Sequence, residues 1–160
     1  MDGIRPRGLS PIVKTVSKWV KGFILVFGIY IVLYGHLTPG GGFAGGVIIA
    51  MGLVLMTLCC GKYEALKRLR IGIASELDSV GALMFLVIAI LGVAGTLGGR
   101  FFTNYIAKSN PGEPYALFSA GTIILSNIAI ALKVASSLFL VFILLVAMKV
   151  IYREGEERPD

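Results

Sequence analysis

The sequence predicts an all-α, polytopic membrane protein with four transmembrane helices. The 160 residues are 56% hydrophobic and 15% charged, and their mean hydropathy is +0.87, which is outside the range of soluble domains. The apolar residues form continuous runs, whereas a β-barrel needs short alternating segments. We therefore expect one integral membrane domain over residues 1–160, with a cytoplasmic leader at 1–15 and a charged cytoplasmic tail at 153–160.

The first three predicted spans are apolar runs long enough to cross a bilayer. A helix needs about 20 residues to cross the hydrocarbon core. These runs extend from Trp19 to Tyr34, from Phe43 to Cys60 and from Val80 to Leu97.

The last apolar run, from Ala116 to Tyr152, is too long for one ordinary crossing. We predict a break near Ser126-Asn127. Residues Ala116 to Leu125 would then form an interfacial or re-entrant helix, and Ile128 to Ile151 would form the fourth span.

Basic residues beside the spans predict the orientation. They precede the first span, connect the second to the third and follow the last: Arg5, Arg7, Lys14, Lys18, Lys21, Lys62, Lys67, Arg68, Arg70, Lys149, Arg153 and Arg158. The opposite side carries only Arg100 and Lys108. The positive-inside rule then makes both termini cytoplasmic. Without an aromatic stacking surface, the basic residues do not indicate nucleic acid binding.

The segment between the first two spans holds the only histidine and the densest cluster of glycines. Pro39 ends a helix, and the glycines after it adopt backbone angles that other residues avoid, so a tight reversal is expected. His36 would lie at the helix end, where it could titrate near neutral pH or donate a hydrogen bond. A plain turn with an exposed histidine is the alternative.

This segment also contains a G-x-G-x-x-G pattern, formed by Gly40, Gly42 and Gly45. In dinucleotide-binding proteins that pattern follows a β-strand, whereas a membrane helix precedes it here. No lysine completes a P-loop either. We therefore exclude nucleotide binding.

Two sets of small residues favour close helix contacts. Both follow a spacing of three or four residues: Gly42, Gly46 and Ala50 in the second span, and Gly92, Gly95 and Gly99 in the third. Such residues let helix backbones approach in lipid. The partner could be another helix of this chain or a helix of another protein.

The remaining polar candidates lie beside or within the spans. Ser75-Glu76-Leu77-Asp78 is typical of a helix N-terminus, and Asp78 is also a functional candidate. Lys133 would lie one to two turns inside the outer face, where it could either snorkel to the interface or act in function. The adjacent Cys59 and Cys60 lack metal or redox spacing. We predict no cofactor and no metal site.

Two blocks of the sequence resemble the B subunit of multisubunit Mrp-type (Mnh-type) sodium/proton antiporters. The first is the stretch from Gly35 to Gly46, and the second is the stretch from Asn127 to Ala135. The first block supplies a structural motif: Thr38, Pro39, Gly40, Gly41, Gly42, Phe43, Gly45 and Gly46. His36 and Lys133 also match the family and, with Asp78, are our candidates for ion-path or coupling residues. The sequence departs from the family pattern at Ala44 and Ala131.

The resemblance implies an accessory, non-catalytic subunit in the plasma membrane of a prokaryote. Such subunits assemble with larger membrane subunits, either in a stand-alone antiporter that exchanges Na+ and H+ or in a membrane-bound hydrogenase or ferredoxin-linked respiratory complex. We expect no Asp or Glu in the four spans, so the acids of the ion path would belong to partner chains. His36 and Lys133 would both border this path near the outer face. A small homo-oligomeric channel or transporter is the alternative, and a membrane enzyme is less favoured.

Overall fold

Four helices form the protein, as the sequence predicts. The computed structural model describes residues 10–60, 71–94, 101–106, 115 and 119–156. The helices are α1 (Pro11–Leu33), α2 (Gly41–Cys60), α3 (Ile71–Ala94) and α4 (Thr122–Glu156). Each contains a segment long and apolar enough to cross a membrane, and the described residues contain no strand. The all-α, four-span prediction is therefore confirmed.

Helix α1 begins eight residues before the predicted span. Ser10 caps it, since its hydroxyl accepts a hydrogen bond from the Val13 amide at 3.4 Å, and Pro11 occupies the first helical position, where it needs no amide donor. Lys14, Lys18 and Lys21 therefore lie on the helix. Residues 1–9 of the predicted leader and 157–160 of the predicted tail are outside the described residues.

The four helices pack in the order α1, α2, α4, α3. Helix α2 packs against α1 and α4, and α3 packs against α4, so the last helix in the chain separates the second from the third. Ala74 of α3 is buried against Phe139 and Ile143 of α4, and Leu53 of α2 packs on the same cluster. The outer faces of α1 and α3 carry exposed apolar side chains such as Phe23 and Leu83, as expected for surfaces that contact lipid or other membrane helices.

Helix α4 is continuous over 35 residues, so the break predicted near Ser126-Asn127 is wrong. The Ser126 hydroxyl donates to the Thr122 carbonyl at 3.2 Å, and the Asn127 side chain accepts a hydrogen bond from the Gly42 amide. Both polar groups thus have partners within the helix bundle. Residues 122–125, which we assigned to an interfacial helix, form the first turn of α4, while 116–118 lie outside the described residues.

Helix α3 begins at Ile71, so the capping role predicted for Ser75-Glu76-Leu77-Asp78 is wrong. Its apolar segment, Gly72–Val93, includes Glu76 and Asp78. The expectation that no span contains an acidic residue is therefore also wrong.

The start of α4 is capped by a residue from the preceding connection. Asn104 accepts hydrogen bonds from the Thr122 amide at 3.1 Å and hydroxyl at 3.3 Å, and it donates to the Ala120 carbonyl at 3.2 Å. Gly121 adopts a left-handed conformation (φ 62°) beside this amide. These bonds tie the connection to the end of the helix bundle.

Candidate functional site

The chain reverses direction tightly between α1 and α2. We call residues Gly35 to Gly46 the glycine corner. Gly40 and Gly41 have φ angles of 88° and 28°, a region that favours glycine because it has no Cβ. Helix α1 ends at Leu33, one residue before the end of the predicted span at Tyr34 and six residues before Pro39, and the Leu37 amide donates to the Tyr34 carbonyl at 2.9 Å.

The glycine corner is docked on Asn127 of α4. The Gly42 amide donates to the Asn127 side-chain oxygen at 3.3 Å. A Cβ added to Gly42 would lie 2.7 Å from the Asn127 Cα, and one added to Gly46 would lie 2.9 Å from the Ala131 carbonyl oxygen. The small residues of α2 therefore pack against a helix of the same chain, which decides between the two partners left open by the sequence.

The other small-residue positions have different neighbours. A Cβ on Gly45 would lie 3.0 Å from the Gly28 carbonyl oxygen, so Gly45 brings α1 and α2 together. A Cβ on Gly92 would lie 2.7 Å from the Thr103 amide nitrogen, so the third-span glycine contacts a connection rather than a helix. Gly95 and Gly99 are outside the described residues.

His36 is half-buried in the glycine corner, so the alternative of an exposed histidine is wrong. Its Nε2 lies 3.3 Å from the Ser119 hydroxyl, and its ring stacks on Tyr34 with centroids 6.3 Å apart. Its Nδ1 is buried without a hydrogen-bond partner among the described residues, as are the Thr38 hydroxyl and the Asn127 side-chain nitrogen. Phe43 is exposed on the outside of the corner and Pro39 is exposed beside it.

A second polar cluster joins α3 to α4. The Lys133 ammonium lies 3.1 Å from Asp78 Oδ1, and the Ser137 hydroxyl donates to the same carboxylate oxygen. The side chains of Lys133 and Asp78 are 47% and 29% exposed. Gly81 lets the helices approach here, since a Cβ on it would lie 2.8 Å from the Lys133 amide nitrogen. We call Asp78, Lys133 and Ser137 the ion-pair cluster.

Lys133 lies farther from the start of its helix than the sequence predicts. Lys133 is about three turns from the start of α4 at Thr122, where we expected one or two turns. Its ammonium pairs with Asp78 within the two apolar segments.

The structure does not bring His36 and Lys133 together. His36 contacts Ser119, and Lys133 contacts Asp78. Asn127, at the level of the glycine corner, precedes Lys133 by six residues, or roughly 9 Å along the axis of α4. The two candidates therefore belong to different clusters.

Sequence reasoning missed the partners of both clusters. Ser137 follows Lys133 by four residues and so shares its helix face, a spacing that could have identified it. Asn127, Ser119 and Asn104 have no such local signal, because their partners are 16 to 85 residues away in the chain.

The described residues contain no group of three or more His, Cys, Asp or Glu side chains that could hold a metal ion. Cys59 is buried, and its thiol lies 2.9 Å from the Ser17 hydroxyl. This packing agrees with a structural role for Cys59 as a small, buried side chain. The Cys60 side chain is outside the described residues.

The fold and the two clusters define a multi-pass membrane protein with an ion pair between two of its spans. A family model described as a domain related to the MnhB subunit of Na+/H+ antiporters matches residues 12–140. The chain belongs to this family, and the matched region includes both the glycine corner and the ion-pair cluster.

Individual relatives agree with this family. The chain is 36% identical to an uncharacterised protein of Methanocaldococcus jannaschii over 151 residues, which cover 89% of this chain and 54% of the relative. It is 39% identical over 82 residues to a Staphylococcus haemolyticus protein named as antiporter subunit mnhB2, covering 51% of this chain and 57% of that protein. A Staphylococcus aureus protein of the same name is 39% identical over 94 residues, covering 59% and 64%. The chain thus spans between about half and two thirds of the length of these relatives.

Proposed function

We propose that this chain is an accessory membrane subunit of a multisubunit Mrp-type Na+/H+ antiporter, where it borders the ion path. The observation that carries the proposal is the Asp78–Lys133 pair inside two apolar segments. Ionisable residues within spans are costly, and they mark ion and proton pathways. The family model supplies the kind of transport, since it is named for a subunit of a Na+/H+ antiporter.

The ion-pair cluster suits a bordering role better than that of a complete carrier. Asp78 Oδ1 already accepts bonds from Lys133 and Ser137, so this oxygen is not a free ligand for Na+. A cation that approaches Asp78 would repel Lys133, and a negative charge in a neighbouring subunit would attract it. The pair can therefore respond to charge moving along a path beside it.

The remaining features of the proposal come from the family resemblance and from charge. The partners are larger membrane subunits, the transported ions are Na+ and H+, and the setting is the lipid bilayer of a prokaryotic plasma membrane with both chain termini cytoplasmic. The same subunit would serve a stand-alone antiporter or the antiporter module of a membrane-bound hydrogenase or ferredoxin-linked complex. The proteins that co-purify in mild detergent distinguish these two assemblies. A chain that purifies alone as a small oligomer would instead support a stand-alone channel or transporter.

The test replaces Lys133 in the intact complex and measures Na+-dependent proton exchange in everted membrane vesicles. We expect Lys133→Met to lower exchange by about tenfold or more, which corresponds to the loss of about 1.4 kcal/mol of stabilisation, while the complex still assembles. Lys149→Met is the matched control, because Lys149 lies on the same helix beyond the apolar segment Thr122–Val146, and it should leave exchange unchanged. Normal assembly with unchanged exchange in Lys133→Met would contradict the proposal.

A further inference from the structure

A basic cavity lies at the end of the molecule where α1 begins and α2 ends. Lys14, Lys18 and Lys21 follow one another at spacings of four and three residues, so they share one face of α1. Together with Ser17 of α1 and Met56 of α2, they line a cavity of about 290 Å³ between the two helices. This volume is roughly ten times the ~30 Å³ that one water molecule occupies in the liquid.

The positive charge of this cavity is not compensated within the described part of the chain. None of the three lysines has a carboxylate partner there. The Lys21 ammonium instead lies 3.7 Å from the Met56 sulfur, which is a weak acceptor. The acids of α3 lie on a helix that packs mainly against α4.

The cavity also offers a neutral hydrogen-bond donor. The Ser17 hydroxyl oxygen lies 2.9 Å from the Cys59 thiol, which donates to it, so the hydroxyl proton is available to a ligand. The neighbouring Thr15 hydroxyl, by contrast, donates to the Pro11 carbonyl at 3.0 Å. Three ammonium groups and one hydroxyl therefore surround the cavity as donors.

Neighbouring side chains indicate the depth of this cavity in the membrane. Trp19, the only tryptophan of the chain, follows Lys18 and is 69% exposed. Tryptophan is enriched at the boundary between headgroups and hydrocarbon. Gly22 and Val26 follow Lys18 at spacings of four residues, so they continue its side of α1 into the span. Val26 is 68% exposed, so an apolar surface adjoins the basic one.

We propose that this cavity binds the phosphate headgroup of an anionic phospholipid. Basic pockets between transmembrane helices bind such headgroups, and lysine ammonium groups bind phosphate as point charges. A free phosphate ester has the same charge chemistry, but only a lipid also covers the apolar surface at Val26 with its acyl chains. The inference does not depend on the transport function proposed above.

Trp19 provides the measurement, because its fluorescence is quenched by brominated acyl chains nearby. The full-length chain is reconstituted in phosphatidylcholine vesicles that contain increasing fractions of phosphatidylglycerol, with bromine on the phosphatidylglycerol only. We expect quenching above the level given by the bulk lipid fraction. Lys14→Gln, Lys18→Gln and Lys21→Gln should each lower the relative affinity for phosphatidylglycerol by about fivefold, and the triple variant should abolish the enrichment.

Three controls separate the possible outcomes. A charge-matched triple variant at the other end of the chain, with Lys149, Arg153 and Arg158 replaced by Gln, should keep the enrichment, as should replacement of the three cavity lysines by Arg. Brominated phosphatidylcholine should quench every variant equally, which confirms that each one is inserted. Soluble glycerol 3-phosphate at millimolar concentration should not displace the lipid.

Three results would overturn the proposal. They are quenching at the bulk level in the unmodified chain, equal enrichment after the triple Gln replacement, and displacement of the lipid by glycerol 3-phosphate. The last would assign the cavity to free phosphate esters. Since no ion flux is measured, none of these results depends on whether the chain belongs to an antiporter.

Discussion

The glycine corner and the ion-pair cluster both join α4 to a neighbouring helix, but they do so by opposite means. At the corner, α2 contacts Asn127 through glycines that leave no room for a side chain, and the contacts are buried. At the ion-pair cluster, α3 contacts α4 through charged groups, and the Lys133 side chain is nearly half exposed.

This difference separates a rigid contact that holds two helices together from a contact whose charges can respond to other charges. Two helix backbones in direct contact leave no space for either to shift. Such a contact therefore fixes the position of the two helices and stabilises the bundle. An exposed ion pair in an apolar segment has weaker geometric constraints, and its charges respond to other charges nearby. We therefore propose that the glycine corner serves stability and that the ion-pair cluster is the better candidate for coupling.

The largest effect on stability is expected at the glycine corner. Gly42→Ala would place a Cβ 2.7 Å from the Asn127 Cα, and neither backbone can shift without separating α2 from α4. We expect the free energy of unfolding to fall by about 3 kcal/mol, the upper part of the range for overpacked interiors. The measurement is unfolding by sodium dodecyl sulfate in mixed micelles, followed by circular dichroism.

Gly22→Ala is the matched control for this prediction. A Cβ on Gly22 would meet nothing within 4 Å, and alanine is a better helix former than glycine. This variant should be as stable as the unmodified chain or slightly more stable. Equal effects of Gly22→Ala and Gly42→Ala would show that helix propensity, and not packing at Asn127, determines the result.

The sequence predicts the glycine corner better than it predicts its partners. The glycines and Pro39 carry a local signal, because their backbone preferences act within a few residues. The continuity of α4 through Asn127 has no local signal, because its side-chain oxygen accepts a hydrogen bond from an amide 85 residues away. Two adjacent polar residues in an apolar run, such as Ser126-Asn127, therefore resemble a helix break until their tertiary partner is known.

The prediction for Asp78 is wrong for a related reason. An acidic residue at the edge of an apolar run is typical of a helix N-terminus, so the sequence pattern places the start of the third span after Asp78. The charge is instead neutralised across the interface by Lys133. A one-dimensional pattern cannot show that a charge within a span is paired with a residue 55 positions later.

An intermediate effect is expected at the ion-pair cluster, where a double-mutant cycle tests the coupling. Asp78→Asn and Lys133→Met each leave one charge without its partner in an apolar segment, whereas the double variant leaves neither. We expect the two effects on unfolding to be non-additive by about 1 kcal/mol. Additive effects would mean that the two charges do not stabilise one another. The contrast between a helix contact made by glycines and one made by an ion pair would then not hold.

The smallest effect on stability is expected for His36→Phe. This variant distinguishes a packing role of His36 in the glycine corner from a role in ion coupling. Phenylalanine keeps a flat ring against Tyr34, and it removes both the hydrogen bond to Ser119 and the buried, unpartnered Nδ1. Loss of the bond and relief of the unpaired nitrogen oppose each other, so unfolding should change by no more than about 0.5 kcal/mol. Ser119 keeps a partner, because it makes a further interaction in the structure.

The same variant then gives a functional result that stability does not obscure. If His36 serves only to close the corner, Na+-dependent proton exchange in the intact complex should be unchanged in His36→Phe. A fall in exchange with stability preserved would place a coupling residue inside the rigid corner. The glycine corner would then serve both packing and coupling. Asp78–Lys133 would no longer be the sole site of coupling that the described residues support.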